Sequence, residues 1–146
     1  MFHEQTTVPF LSPLIFHSDT LLKRQVIACL SHIAYHNQEL SQKVIEGVNI
    51  EKLISLLQDP DLMVRINTAE CIKNIVKHTT EHAKFICNKD GPRFLIEYLQ
   101  ENHGMAREPA LWALSYIAGF DESLALGIIA SKGIPAIKVN FLPGIN

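Results

Sequence analysis

Along most of this chain apolar residues recur at intervals of three and four, and that recurrence repeats every 42 residues. LKRQVIACLSHIAYHNQEL from Leu22, VRINTAECIKNIVKHTTEH from Val64 and AREPALWALSYIAGFDESL from Ala106 superimpose without a gap. Leu30, Ile72 and Leu114 coincide, as do Ile33, Ile75 and Ile117, then Ala34, Val76 and Ala118. Downstream, Leu53, Leu95 and Ile137 coincide; upstream, Leu11, Leu14 and Ile15 fall one period before Leu53, Leu56 and Leu57. A three-and-four spacing is the period of an amphipathic helix, and no alternating strand pattern accompanies it.

Breaks at Gly47-Val48-Asn49, Asp90-Gly91-Pro92 and Lys132-Gly133 separate a first helix from a second. Glycine there stops one helix and proline starts the next. Further breaks at Gln58-Asp59-Pro60-Asp61 and Gln100-Glu101-Asn102-His103-Gly104 separate the second helix from a longer third. A three-helix unit of this length cannot bury its own apolar face and must stack on its neighbours. The prediction is an all-α fold, a right-handed α-solenoid of armadillo type, in one domain over residues 8–139. It divides into a partial repeat over 8–36, repeats over 37–78 and 79–120, and a partial repeat over 121–139, with irregular tails at 1–7 and 140–146. Because no capping unit with a polar outer face is visible, self-association through the uncapped solenoid ends is expected.

Composition narrows the function classes. Of 146 residues 47% are hydrophobic and 19% charged, a globular balance. The formal net charge is −2 and the basic residues are scattered, so neither nucleic acid nor a membrane surface is an expected partner. The N-terminal stretch is broken by Pro9 and Pro13 and is a poor signal peptide, which predicts a cytoplasmic protein. Cys29, Cys71 and Cys87 form no CxxC pair and read as reduced thiols. Cys29 and Cys71 share one repeat slot with Ala113, which predicts small core residues there.

The phrases LWALSYIAG and GIPAIKV after LGIIASK resemble the armadillo consensus. YHNQELSQKVIE, KHTTEHAKFI, LKRQVIACLSHIA and GFDESLALGIIASKGIPAI resemble a narrower group, the sperm-associated antigen type of armadillo protein from the ciliary and flagellar central apparatus. That group shows a basic residue, His, then Ser or Thr, and an acid-Leu pair after the third helix. Lys77-His78-Thr79 fits; Tyr35-His36-Asn37 fits in its His and in Glu39-Leu40; Gly119-Phe120 departs, though Glu122 and Leu124 remain. The resemblance implies a cytoskeletal scaffold of the axoneme, with axonemal or microtubule-associated proteins as partners, and no catalysis. It covers only a fraction of the family's usual array, so the chain reads as a short or truncated member. The alternative is a general cytosolic adaptor whose groove binds an extended peptide.

Candidate chemistry is sparse. No GxSxG, phosphate loop or paired catalytic carboxylates occur, so no enzyme and no cofactor are expected. His32 with His36, and His78 with His82, are spaced i, i+4, but no further ligands complete a metal site. His36 and His78 are expected to serve the free carbonyls at the ends of third helices. Asp59 and Asp61 flank Pro60, where they are expected to bond nearby amides and cap the next helix.

In armadillo arrays the third helices line a concave groove. The resemblance places groove residues at Ala28 and His32, Glu70 and Asn74, and Trp112 and Tyr116, with Arg24, Ile66 and Glu108 one turn earlier. Nuclear-import adaptors of this class pair Trp with Asn four residues later. Here Trp112 precedes Tyr116, Glu70 precedes Asn74 and Ala28 precedes His32, so no helix carries both partners. Trp112, the single tryptophan, is therefore expected to face a groove with a different ligand.

Overall fold

The computed structural model describes residues 2–130, all helix and short connections. The helices are α1 (Phe2–Leu11), α2 (Thr20–His36), α3 (Gln38–Gly47), α4 (Ile50–Ser55), α5 (Leu62–Val76), α6 (Thr80–Asn88), α7 (Gly91–Glu101), α8 (Glu108–Phe120) and α9 (Glu122–Ala130). Short 3-10 turns follow α1 and α4 and precede α8. The long helices α2, α5 and α8 pack side by side in one layer, and the shorter helices pack against them to form an α-solenoid. Leu30, Ile72 and Leu114 are buried at the seams, with Ile75 and Ile117 beside them. Beyond Ala130, the partial repeat to residue 139 and the tail at 140–146 lie outside the described residues.

Helix boundaries follow from capping side chains that recur with the same period. Asn37 and Asp121 each end one long helix and begin the next short one, and Thr79 begins α6 three residues after α5 ends. Their side chains accept from the N–H of Leu40 at 2.8 Å, Leu124 at 2.9 Å and His82 at 3.0 Å. Asp19 and Asp61 cap α2 and α5 by accepting from Leu22 at 3.2 Å and Val64 at 2.9 Å. Each such acceptor satisfies an N–H left free by the first helical turn, worth roughly 1 kcal/mol. At the third equivalent place stands His103, and α8 instead starts from a turn with Gly104 at φ +60 and Pro109 in its own first turn.

A second periodic device ties adjacent units. Lys23 meets Asp59 at 2.6 Å. One period on, Arg65 donates to Asn102 Oδ1 at 3.1 Å and to the carbonyl of Asp59 at 2.9 Å. One further on, Arg107 donates to the carbonyl of Asn102 at 2.7 Å. Each basic side chain therefore braces a turn that leads into a long helix.

Three expectations change. Residues 2–7 are not an irregular tail but the first turns of α1. Pro9 removes only one N–H from that helix, and Val8 is buried where Gly47 leaves room for it. Cys29 is exposed, whereas Cys71 and Ala113 in the same slot are buried. The difference tracks position: within the described residues, α2 has only α1 and its turn before it, while α5 and α8 each have a preceding long helix. At the α6–α7 break, Gly91 does not supply the left-handed residue. Asp90 does, at φ 67, and Gly91 opens α7. Aspartate tolerates that conformation. Gly91 is needed for space, because a Cβ there would lie 2.8 Å from the Ile86 carbonyl oxygen. Gly91→Ala should therefore destabilise the fold by about 1–3 kcal/mol, read as a lower urea midpoint with unchanged slope; an unshifted midpoint would show that α6 and α7 separate freely.

Candidate functional site

Residues spaced by four on α2, α5 and α8 share one face of that helical layer. The structure gathers four of the nine expected groove residues around a single cleft between α2 and α5. Ala28 and His32 line one wall, Glu70 and Asn74 the other, enclosing about 280 Å³. Ser31, Tyr35 and Asn67 complete the lining. Sequence reasoning missed these three. Asn67 was findable, since it lies seven residues before Asn74 and so on the same face.

Asn74 is held inside the seam. It is only 3% exposed, and its amide nitrogen donates to the Ser31 carbonyl at 3.2 Å and Ser31 Oγ at 2.9 Å. Its Oδ1 is buried with no hydrogen-bond partner, a condition that costs roughly 1–3 kcal/mol in a folded protein. Asn67 makes a parallel stitch, donating to the Arg24 carbonyl at 3.1 Å. His78 Nε2, 2.6 Å from the Ala34 carbonyl, is a third. The carbonyl can only accept, so Nε2 carries the proton. The expectation that His78 serves a helix-end carbonyl therefore holds across the seam: the carbonyl belongs to α2.

The remaining expected residues are placed differently. Arg24 is committed to a forked pair with the helix cap Asp61, with bonds of 2.8 Å and 2.5 Å. Ile66 is half-buried and Glu108 is exposed in the first turn of α8, where a carboxylate suits the helix dipole. Trp112 is 47% exposed, and its ring centroid lies 5.8 Å from that of half-buried Tyr116. These two form an aromatic pair on α8 that does not line the α2–α5 cleft.

The charges around the cleft are largely matched. Glu70 pairs with Lys73 at 2.6 Å. The Lys77 ammonium sits 3.5 Å from the centroid of the Tyr35 ring. Burial, with the Lys73 charge, holds Lys77 below the ordinary lysine range. His82 is buried between Gln42 Oε1 at 2.8 Å and Ser41 Oγ at 3.3 Å, and burial lowers its pKa. Burial pushes the Cys71 thiol up to about 12, so it is no nucleophile. Among the described residues no three His, Cys, Asp or Glu side chains converge as metal ligands, and no helix is long and apolar enough to cross a membrane.

Known proteins place this geometry. A sequence profile of the HEAT repeat matches residues 50–79. The chain is 25% identical over 132 residues to GID complex subunit 5 of Schizosaccharomyces pombe, covering 84% of this chain and 17% of that one. It is 26% identical over 124 residues to importin subunit alpha-2 of Caenorhabditis elegans, covering 82% and 23%. The chain thus spans less than a quarter of either relative. An engineered protein superimposes with a TM-score of 0.88 at 21% identity, over 96% of this chain and 56% of that one. A designed armadillo repeat protein in complex with the peptide (KR)4 does so with 0.84 at 22%, over 89% and 54%. The fold is an α-solenoid of the armadillo/HEAT kind.

The Arg24–Asp61 pair makes a pH prediction. The Arg24 guanidinium, and after it the Val64 N–H, hold the Asp61 carboxyl down at about 2, against the opposing effect of partial burial. A depressed folded-state value means stability that is present above the ordinary aspartate value of 3.8 and lost as pH falls toward 2. Asp61→Asn keeps a capping oxygen and removes the charge. Thermal melts should show it less stable than wild type at pH 7, with the gap closing between about pH 4 and pH 2. A gap independent of pH would assign the effect to the cap alone.

Proposed function

We propose that this chain is a non-catalytic protein–protein interaction scaffold whose long-helix face binds an extended segment of a partner, with Trp112 as its anchor. The carrying observation is the exposure of Trp112 on a helix whose Ala113, Leu114 and Ile117 are buried. A large amphipathic ring held out by a packed helix gives contact area at little entropic cost. Trp112 has no aromatic counterpart in the other units, where Ala28 and Glu70 stand, so a shared packing role does not explain it. The likeness to a designed armadillo repeat protein in complex with a peptide supports peptide binding by this fold.

The setting we propose is the cytoskeleton of the ciliary or flagellar axoneme, where the chain would join central-apparatus proteins and support motility. Its support is the sequence resemblance, above all the His36 and His78 phrases with Asn37 and Thr79 beside them. A general cytosolic adaptor is the second reading, favoured by the similarity to importin subunit alpha-2 and GID complex subunit 5.

Two measurements test this. In isolated cilia the protein should stay with detergent-extracted axonemes; a purely soluble distribution removes the axonemal setting and leaves the adaptor. Against the partner recovered there, Trp112→Ala should weaken binding by roughly tenfold or more with unchanged circular dichroism. Leu114→Ala should instead lose about 2–5 kcal/mol of stability. Unchanged binding by a folded Trp112→Ala protein would place the contact elsewhere.

A further inference from the structure

The amide of Asn74 is oriented by chemistry, not by choice. The Ser31 carbonyl can only accept, so the NH2 group must face α2 and the oxygen must turn away from it. That oxygen is the one buried side-chain polar atom without a partner among the described residues, and Asn74 is one of the residues that line the α2–α5 cleft. Resting on the peptide-binding reading above, we propose that this cleft is a pocket for an uncharged hydrogen-bond donor of the partner, the carboxamide or hydroxyl of a side chain, and that it discriminates against lysine and arginine.

The requirement for a donor follows from Oδ1, which can only accept. Glu70, one helical turn earlier, adds a second acceptor on the same wall. A carboxamide NH2 carries two donors and suits the two acceptors together. The exclusion of cations follows from what already stands there. Lys73 takes up the Glu70 charge at 2.6 Å. Lys77 occupies the face of Tyr35, the aromatic ring of the cleft, which would otherwise hold a guest cation. A further positive charge would meet two ammonium groups and no free carboxylate charge, and such repulsion is how a site rejects a competitor. Ala28 leaves the space, and a guest reaches the buried Oδ1 as the side chains that line the cleft, the exposed His32 among them, shift to admit it.

The test is an NMR titration of the 15N-labelled chain with propionamide and, separately, with n-butylammonium chloride at matched ionic strength. Propionamide should shift the amide resonances of Ser31, His32, Glu70 and Asn74 saturably, at about fivefold lower concentration than butylammonium. Ala28→Leu, which fills the cleft, should abolish those shifts while leaving resonances of α8 in place. Lys73→Gln frees the Glu70 charge and should bring the two probes close to parity. Equal or stronger binding of butylammonium by the wild type overturns the inference, as does the absence of saturable shifts or their survival in a folded Ala28→Leu protein. Such a failure leaves Trp112-dependent partner binding intact; loss of that binding with the propionamide shifts preserved would instead strike the groove reading alone.

Discussion

Everything in this molecule depends on the side-by-side contact of α2, α5 and α8. A unit of two short helices and a longer third exposes an apolar stripe that it cannot cover by itself, so the stripe of one unit becomes the core of the next. Leu30, Ile72 and Leu114 occupy that contact in turn, each buried. The layer of long helices is thus fixed by its own packing before any functional residue is considered. The outer face of that layer is what remains for a partner.

The two seams in this layer are built from different chemistry. Between α2 and α5, Asn67, Asn74 and His78 reach across to backbone carbonyls of Arg24, Ser31 and Ala34. One period later the same slots hold Pro109, Tyr116 and Phe120. The polar seam ties specific atoms to specific atoms, and it leaves an open cleft with one unused acceptor. The apolar positions on α8 carry no such stitches and instead support the exposed Trp112. One fold therefore presents two chemically different surfaces on neighbouring helices.

The periodic features were legible because they depend on local residue type. The 42-residue recurrence located the long helices, and Asp61 and the His78 region were recognisable as helix-end chemistry. What escaped the sequence depended on what lies opposite. Cys29 and Cys71 share a slot and a neighbourhood in sequence, yet only Cys71 is covered. Asn74 looked like a groove ligand because its position is right. Its amide nitrogen is consumed by Ser31 on another helix, which no spacing rule reports. Arg24 was expected in the groove, and its guanidinium is instead held by Asp61, 37 residues away. The aromatic pair on α8 was the easier part, since both rings and the buried Ala113 and Leu114 between them sit on a single helix.

The joints at Asn37 and Asp121 carry a mechanical consequence. Each is a single residue that closes one helix and caps the next, so there is no slack between that long helix and the short one that follows. A chain joined this way cannot adjust its pitch by paying out loop. Any change in its curvature has to come from rolling whole helices against each other, and the resistance to that rolling is the volume of the side chains in the seam. The spacing of contact points along the outer face is therefore a ruler whose graduations are written in the interior.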